Sequence, residues 1–161
     1  SPLSPLSPLS PLSPLSPLAI LVSEDATANE AHPDENFATA ATVEVKTAKA
    51  ARVTCLRFRL PPGTVTSATL VLTRVRGNGD VAIHRVTGAW DETNLRWDHL
   101  PTRAERIAVL PAATDRAEVA GACSAGICEI MLVGMTKTDC FFISREGGAG
   151  QPKLEVVMAS P

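Results

Sequence analysis

Tyrosine is missing from this 161-residue chain, and only two tryptophans and four phenylalanines stand in for it. That scarcity excludes a binding face built from many stacked aromatics, because Phe58, Phe141 and Phe142 sit in apolar runs that claim them for a core. An excess of one charge is missing too: the formal net charge is -2 and no basic stripe exists, so nucleic acids and anionic membranes have no electrostatic footprint to meet. The longest apolar run, Leu18 to Val22, falls far short of the roughly 20 residues of a membrane span. No Asn-x-Ser/Thr sequon occurs, which excludes N-glycans. No window sustains helical periodicity. The chain opens inside a repeat, without a methionine or an export signal, and reads as a mature or partial chain from which such a signal was removed.

The four cysteines, Cys55, Cys123, Cys128 and Cys140, fit two disulfides in an oxidising compartment. Cys123 and Cys128 are spaced for a small bridged hairpin, whereas Cys55 and Cys140 each lie within an apolar, strand-like run. The expected pairing is therefore Cys123–Cys128 with Cys55–Cys140, among the three pairings that four cysteines allow. The alternative is four reduced, buried thiols. Zinc is disfavoured, since no histidine lies at ligand spacing from Cys123 and Cys128.

What the chain has in abundance is one tripeptide: residues 1–18 are six unbroken copies of Ser-Pro-Leu. A proline at every third position removes every third N–H and pushes the preceding serine toward extended geometry, leaving polyproline II as the available conformation. At about 3.1 Å per residue the segment would span on the order of 56 Å. Three residues per turn place Leu3, Leu6, Leu9, Leu12, Leu15 and Leu18 on one edge and the serines and prolines on two others. A leucine ladder left in water is a liability, so the expectation is burial against neighbouring copies of the chain in a fibril or surface filament. The alternative is a Pro-rich spacer. The repeat also resembles the Ser-Pro repeats of hydroxyproline-rich glycoproteins of algae and plants. That resemblance implies hydroxylation at Pro2, Pro5, Pro8, Pro11, Pro14 and Pro17, and covalent O-glycans there and on Ser4, Ser7, Ser10, Ser13 and Ser16.

From residue 19 to 161 the pattern changes to short β runs punctuated by Gly, Pro, Asn and Asp. Leu56, Phe58 and Leu60 alternate with Cys55, Arg57 and Arg59, and Ala68, Leu70 and Leu72 with Thr69, Val71 and Thr73, the period-two mark of strands with one buried face. About ten short strands are expected, at 20–23, 41–46, 52–60, 67–75, 81–86, 94–97, 118–120, 127–133, 139–144 and 153–158. The fold class is therefore all-β, a jelly-roll or β-sandwich head behind a stalk.

Several stretches of the head resemble the DNRLRE (disaggregatase-related) family of extracellular jelly-roll domains. They include Cys55-Leu56-Arg57-Phe58, Leu60-Pro61-Pro62-Gly63-Thr64-Val65, Val81-Ala82-Ile83-His84-Arg85-Val86, Trp90-Asp91-Glu92-Thr93-Asn94-Leu95-Arg96-Trp97 and Ser144-Arg145-Glu146. The resemblance implies a secreted or cell-surface setting, polysaccharide binding in some members with acidic glycans among the ligands, and a structural calcium as the one cofactor. The family's early Asn-aromatic-Gly is Asn36-Phe37-Ala38 here, and the Cys123–Cys128 segment looks like an addition.

Trp90 and Trp97 bracket a polar turn and are the candidates for stacking on sugar rings, or else for closing the end of a core. Asp25, Asp34 and Asn36 are the candidate oxygen ligands for calcium, with an exposed acidic loop as the alternative. Arg57 is expected to pair with Glu146. Asp91, Glu92, Asp98 and His99 resemble acid/base equipment but no nucleophile accompanies them, so no catalytic residue is assigned and the chain does not read as an enzyme. The expected function is an extracellular structural protein assembling through stalk and head; the alternative is a carbohydrate-binding module on a spacer.

Overall fold

A computed structural model describes residues 17–37, 40–47, 50–124 and 126–159. The repeat up to Ser16, with its expected hydroxylation, glycan and leucine-stripe positions, lies outside the described residues. Pro17 and Leu18 lie inside them, and the first strand begins at Leu18, the final residue of the sixth repeat.

Among the described residues the strands are β1 (Leu18–Leu21), β2 (Glu24–Asn29), β3 (Thr42–Val45), β4 (Arg52–Arg59), β5 (Val65–Val71), β6 (Arg74–Arg76) and β7 (Val81–Thr87). They continue with β8 (Thr102–Leu110), β9 (Arg116–Glu118), β10 (Cys123–Ser124), β11 (Ile127–Gly134), β12 (Cys140–Ile143) and β13 (Lys153–Met158). Every pairing is antiparallel: one sheet runs β1-β13-β5-β9, the largest runs β2-β4-β11-β7-β8 with β10 on β11, and the third runs β3-β12-β6. The fold is the expected all-β sandwich.

The alternating residues account for the layering. Leu56 and Phe58 of β4, Ile83 of β7, and Ile130 and Leu132 of β11 enter one buried cluster. Leu70 of β5 and Leu154 and Val156 of β13 meet them from the second sheet, and Val43, Val45 and Phe142 from the third. Ala26, Ala28, Val53, Cys55 and Met131 point to the opposite face of the large sheet, into a second cluster with Val86, Trp90 and Leu95. Strand β11 is thus apolar on both sides because both sides are covered, as its unbroken apolar run implies.

The structure differs from the sequence reading in four places. β2 was not expected, because Glu24-Asp25-Ala26-Thr27-Ala28-Asn29 has too little apolar surface to read as a strand. Its Thr27 and Thr54 hydroxyls instead hydrogen-bond across the β2–β4 pair at 2.9 Å, which meets the cost of burying them. β8 is a charged edge strand, with Arg103, Glu105 and Arg106 exposed, the composition that protects an open sheet edge from pairing with another chain. The segment 94–97, expected as a strand, belongs to a turn: the amides of Asn94 and Leu95 both donate to Asp91 O. The run expected at 67–75 is split, and Gly77 (φ +85°) closes its second part, since a Cβ there would lie 2.1 Å from Asp139 O.

Candidate functional site

Residues 88–101 leave β7, fold over the outer face of the large sheet and return to β8. Asp91 shapes the turn within them. Its Oδ1 accepts from Thr93 N at 2.9 Å, Thr93 Oγ1 at 2.5 Å and Asn94 N at 3.0 Å, and its Oδ2 from Asn94 Nδ2 at 2.7 Å. The Thr93 hydroxyl above all, with the neighbouring amides, holds the Asp91 carboxyl below its usual range. Trp90 and Leu95 are driven into the second cluster, and Trp97 and Leu100 pack against it. Asn36 joins a second loop to this one, its Nδ2 donating to Glu92 O at 2.6 Å and Leu95 O at 2.9 Å. The Asp98 amide donates to Pro33 O at 3.0 Å.

Arg57 fastens the loop to the sheet. Its register partners across β2 and β11 are Glu24 and Glu129. Nη1 donates to Glu24 Oε1 at 2.6 Å, Nε to Glu129 Oε2 at 2.8 Å and Nη2 to Trp90 O at 2.6 Å. The guanidinium also lies 4.5 Å from the Trp90 ring centroid, a cation–π contact. The expected Arg57–Glu146 pair is not made, because the two directly opposite carboxylates already meet the guanidinium. Glu146 pairs with Arg145 at 3.4 Å instead.

Beside the loop, carboxylate oxygens of Asp25, Glu92 and Glu146 all lie within 4.8 Å of one another. Arg145 sits among them: its amide donates to Asp25 Oδ2 at 2.7 Å and its Nη2 to Glu92 Oε2 at 2.5 Å. Burial pushes the Asp25 carboxyl up to about 6, against the pull of the Arg145 amide and with help from Glu146 and Glu92. Of the expected calcium ligands only Asp25 belongs to this group; Asp34 is exposed, and Asn36 is engaged with the loop carbonyls. Arg145 already supplies the counter-charge, so the arrangement fits an ion-pair cluster better than a calcium cage.

Between these features lies a cleft of about 180 Å³ lined by Ala89, Trp90, Asp91, Asn94, Leu95 and His99. The expected stacking role of Trp90 needs correction: it is 8% exposed, and Arg57 covers one face of its ring. Trp97 is half-buried beside it. The cleft can therefore offer a sugar hydrogen-bonding groups and ring edges more readily than an open aromatic platform. Asp91 and Glu92, weighed as acid/base groups, are held by the turn and by Arg145, while Asp98 and His99 stay exposed on the rim.

All four cysteines are free thiols. Cys55 lies in the second cluster and Cys140 in the first, so the expected Cys55–Cys140 bridge is not formed, whereas Cys123 and Cys128 face each other across β10 and β11. Glu24, Glu129 and Arg145 were missing from the expected site. Only strand register brings the first two to Arg57, and no local motif marks them; Arg145 stands in the Ser144-Arg145-Glu146 stretch, which by itself assigns it no role.

The sequence model of carbohydrate-binding module family 96 matches residues 17–158. No curated protein matches the chain.

Proposed function

The chain belongs to carbohydrate-binding module family 96, a non-catalytic family whose model spans nearly all of the head, and we propose from that premise that it binds polysaccharide through the cleft of residues 88–101. The family match carries this reading. The cleft supports it: Asp91, Asn94 and His99 line it with polar groups, and the Trp90 indole N–H is buried with no hydrogen-bond partner among the described residues. Buried orphan donors are uncommon in native folds. Binding here is hydrogen bonding across a preformed turn, with the Asp91 network keeping the rim in place at low entropic cost.

Isothermal titration against a panel of neutral and acidic polysaccharides tests this reading. His99→Ala should weaken binding about tenfold, the equivalent of one good hydrogen bond. Absence of binding across the panel, or binding that His99→Ala and Trp97→Ala both leave intact, would refute it.

A second reading, self-assembly into an extracellular filament through the stalk and head, is favoured by one observation. Leu18 and Leu21 are 48% and 54% exposed on β1, which stands at a sheet edge, and they continue the every-third-residue leucine series into the head. Electron microscopy of the full chain should then reveal filaments that Leu18→Ser with Leu21→Ser abolishes; dispersed particles from the unaltered chain would end this reading. Hydroxylation and O-glycans on the stalk are part of the same proposal and are read directly from intact mass.

A further inference from the structure

The β10–β11 hairpin carries chemistry that polysaccharide binding does not use. Cys123 and Cys128 are Cα partners in an antiparallel pair. Directly opposite residues in such a pair stand about 4.5–5.5 Å apart at Cα, inside the roughly 4.4–6.8 Å that a disulfide spans. The turn between them contains Gly126 at φ +83°, a conformation glycine adopts without strain. The two sulfurs differ in access. Cys128 is fully buried in the main cluster, opposite Phe58, whereas Cys123 is half-buried and lines a cavity of about 220 Å³ together with Leu60, Pro61, Thr64 and Ser124.

We propose that Cys123 and Cys128 form a thiol–disulfide exchange site, with Cys123 as the attacking sulfur and Cys128 as the resolving one. The oxidant is a low-molecular-weight disulfide such as oxidised glutathione, reaching Cys123 through the cavity. The Cys123 thiolate attacks one sulfur of the oxidant, forming a mixed disulfide and expelling one glutathione thiolate. The Cys128 thiolate then attacks the Cys123 sulfur, forming the intrachain bond and expelling the second. The protons of the two cysteines end on the two released glutathiones, so the protein is oxidised and the oxidant reduced by two electrons. The neighbouring Cys128 thiol holds the Cys123 thiol below its usual range, while the Cys123 thiol and burial push Cys128 up. That asymmetry sets the order of attack. Glu118 near Cys123 and Glu129 near Cys128 oppose ionisation at each. Closing the hairpin tethers the 3₁₀ turn Ala120–Ala122 and β10 to the central strand β11.

The test is to treat the folded full chain with oxidised glutathione, quench with acid, alkylate and map the peptides. The expected product is a Cys123–Cys128 linkage, with Cys55 and Cys140 alkylated only after denaturation. Oxidation should raise the thermal midpoint, and dithiothreitol should return it. In Cys128→Ser the reaction should stop at a glutathione adduct on Cys123, and in Cys123→Ser Cys128 should stay unmodified. A stable glutathione adduct on the unaltered chain, no reaction at either thiol, or a linkage through Cys55 or Cys140 would overturn the proposal. The map of the unaltered chain decides even where a variant fails to fold.

Discussion

Arg57 joins three structural jobs in one side chain: it neutralises Glu24 and Glu129 across the strands, holds a loop carbonyl and covers the Trp90 ring. Removing it leaves Glu129 without its partner and Glu24 with only the exposed Arg59, in a site where the Arg57 side chain is only 11% exposed. Arg57→Ala is therefore expected to lower unfolding stability by about 3 kcal/mol, read from urea denaturation. Asp25 works in the other direction. Its carboxyl is raised from 3.8 to about 6, chiefly by desolvation, so the folded state holds the proton more tightly than the unfolded chain does. The stability this provides is fully present below about pH 4 and is lost as pH rises through 6, on the order of 3 kcal/mol. Asp25→Asn keeps a side-chain oxygen for the Arg145 amide and removes the titration. Denaturation midpoints measured from pH 4 to 7 should fall for the native chain relative to this variant; parallel curves would contradict the assignment.

At the scale of elements, the covering loop of residues 88–101 is held from outside by Asn36, whose single amide nitrogen bonds two of its carbonyls. Asn36→Ala should speed amide exchange within 88–101 while leaving β4 and β11 protected, because the loop loses bonds that the sheet does not share. If the cleft binds polysaccharide, the same variant should weaken that binding through loss of preorganisation. The strands differ in how plainly the sequence announces them. β4, β11 and β13 alternate or run apolar and are legible by period alone. β2 is not, since Thr27 becomes a strand residue only when Thr54 stands opposite to accept or donate its hydrogen bond. β8 is masked by the charges that keep its edge from pairing, and residues 94–97, with Leu95 and Trp97 two apart, look like a strand until the Asp91 carboxylate turns them back.

For the whole molecule, one buried cluster draws side chains from all three sheets. Unfolding should therefore be a single cooperative transition. Phe142, fully buried on β12, is the sharpest probe of that unity: Phe142→Ala should cost about 3–5 kcal/mol by leaving a cavity. It should shift the calorimetric peak without splitting it, and a second peak would mean that the β3-β12-β6 sheet unfolds by itself.

Composition and period alone determined that this chain is a β-sandwich with little aromatic surface to spare, because alternation reports which side of a strand is buried whatever the partner. The same local patterns brought Trp90 and Trp97 into consideration for sugar binding, and Asp91 and His99 only as acid/base groups. Only the tertiary structure decided what each residue does there. It buried Trp90 beneath Arg57, gave Arg57 to Glu24 and Glu129 instead of Glu146, and gathered Asp25, Glu92 and Glu146 around Arg145. It also placed Cys55 and Cys140 in separate clusters while setting Cys123 against Cys128. The physical reason is common to all of these: they depend on strand register and on loops crossing a sheet face, contacts between residues far apart in the chain that no local period encodes.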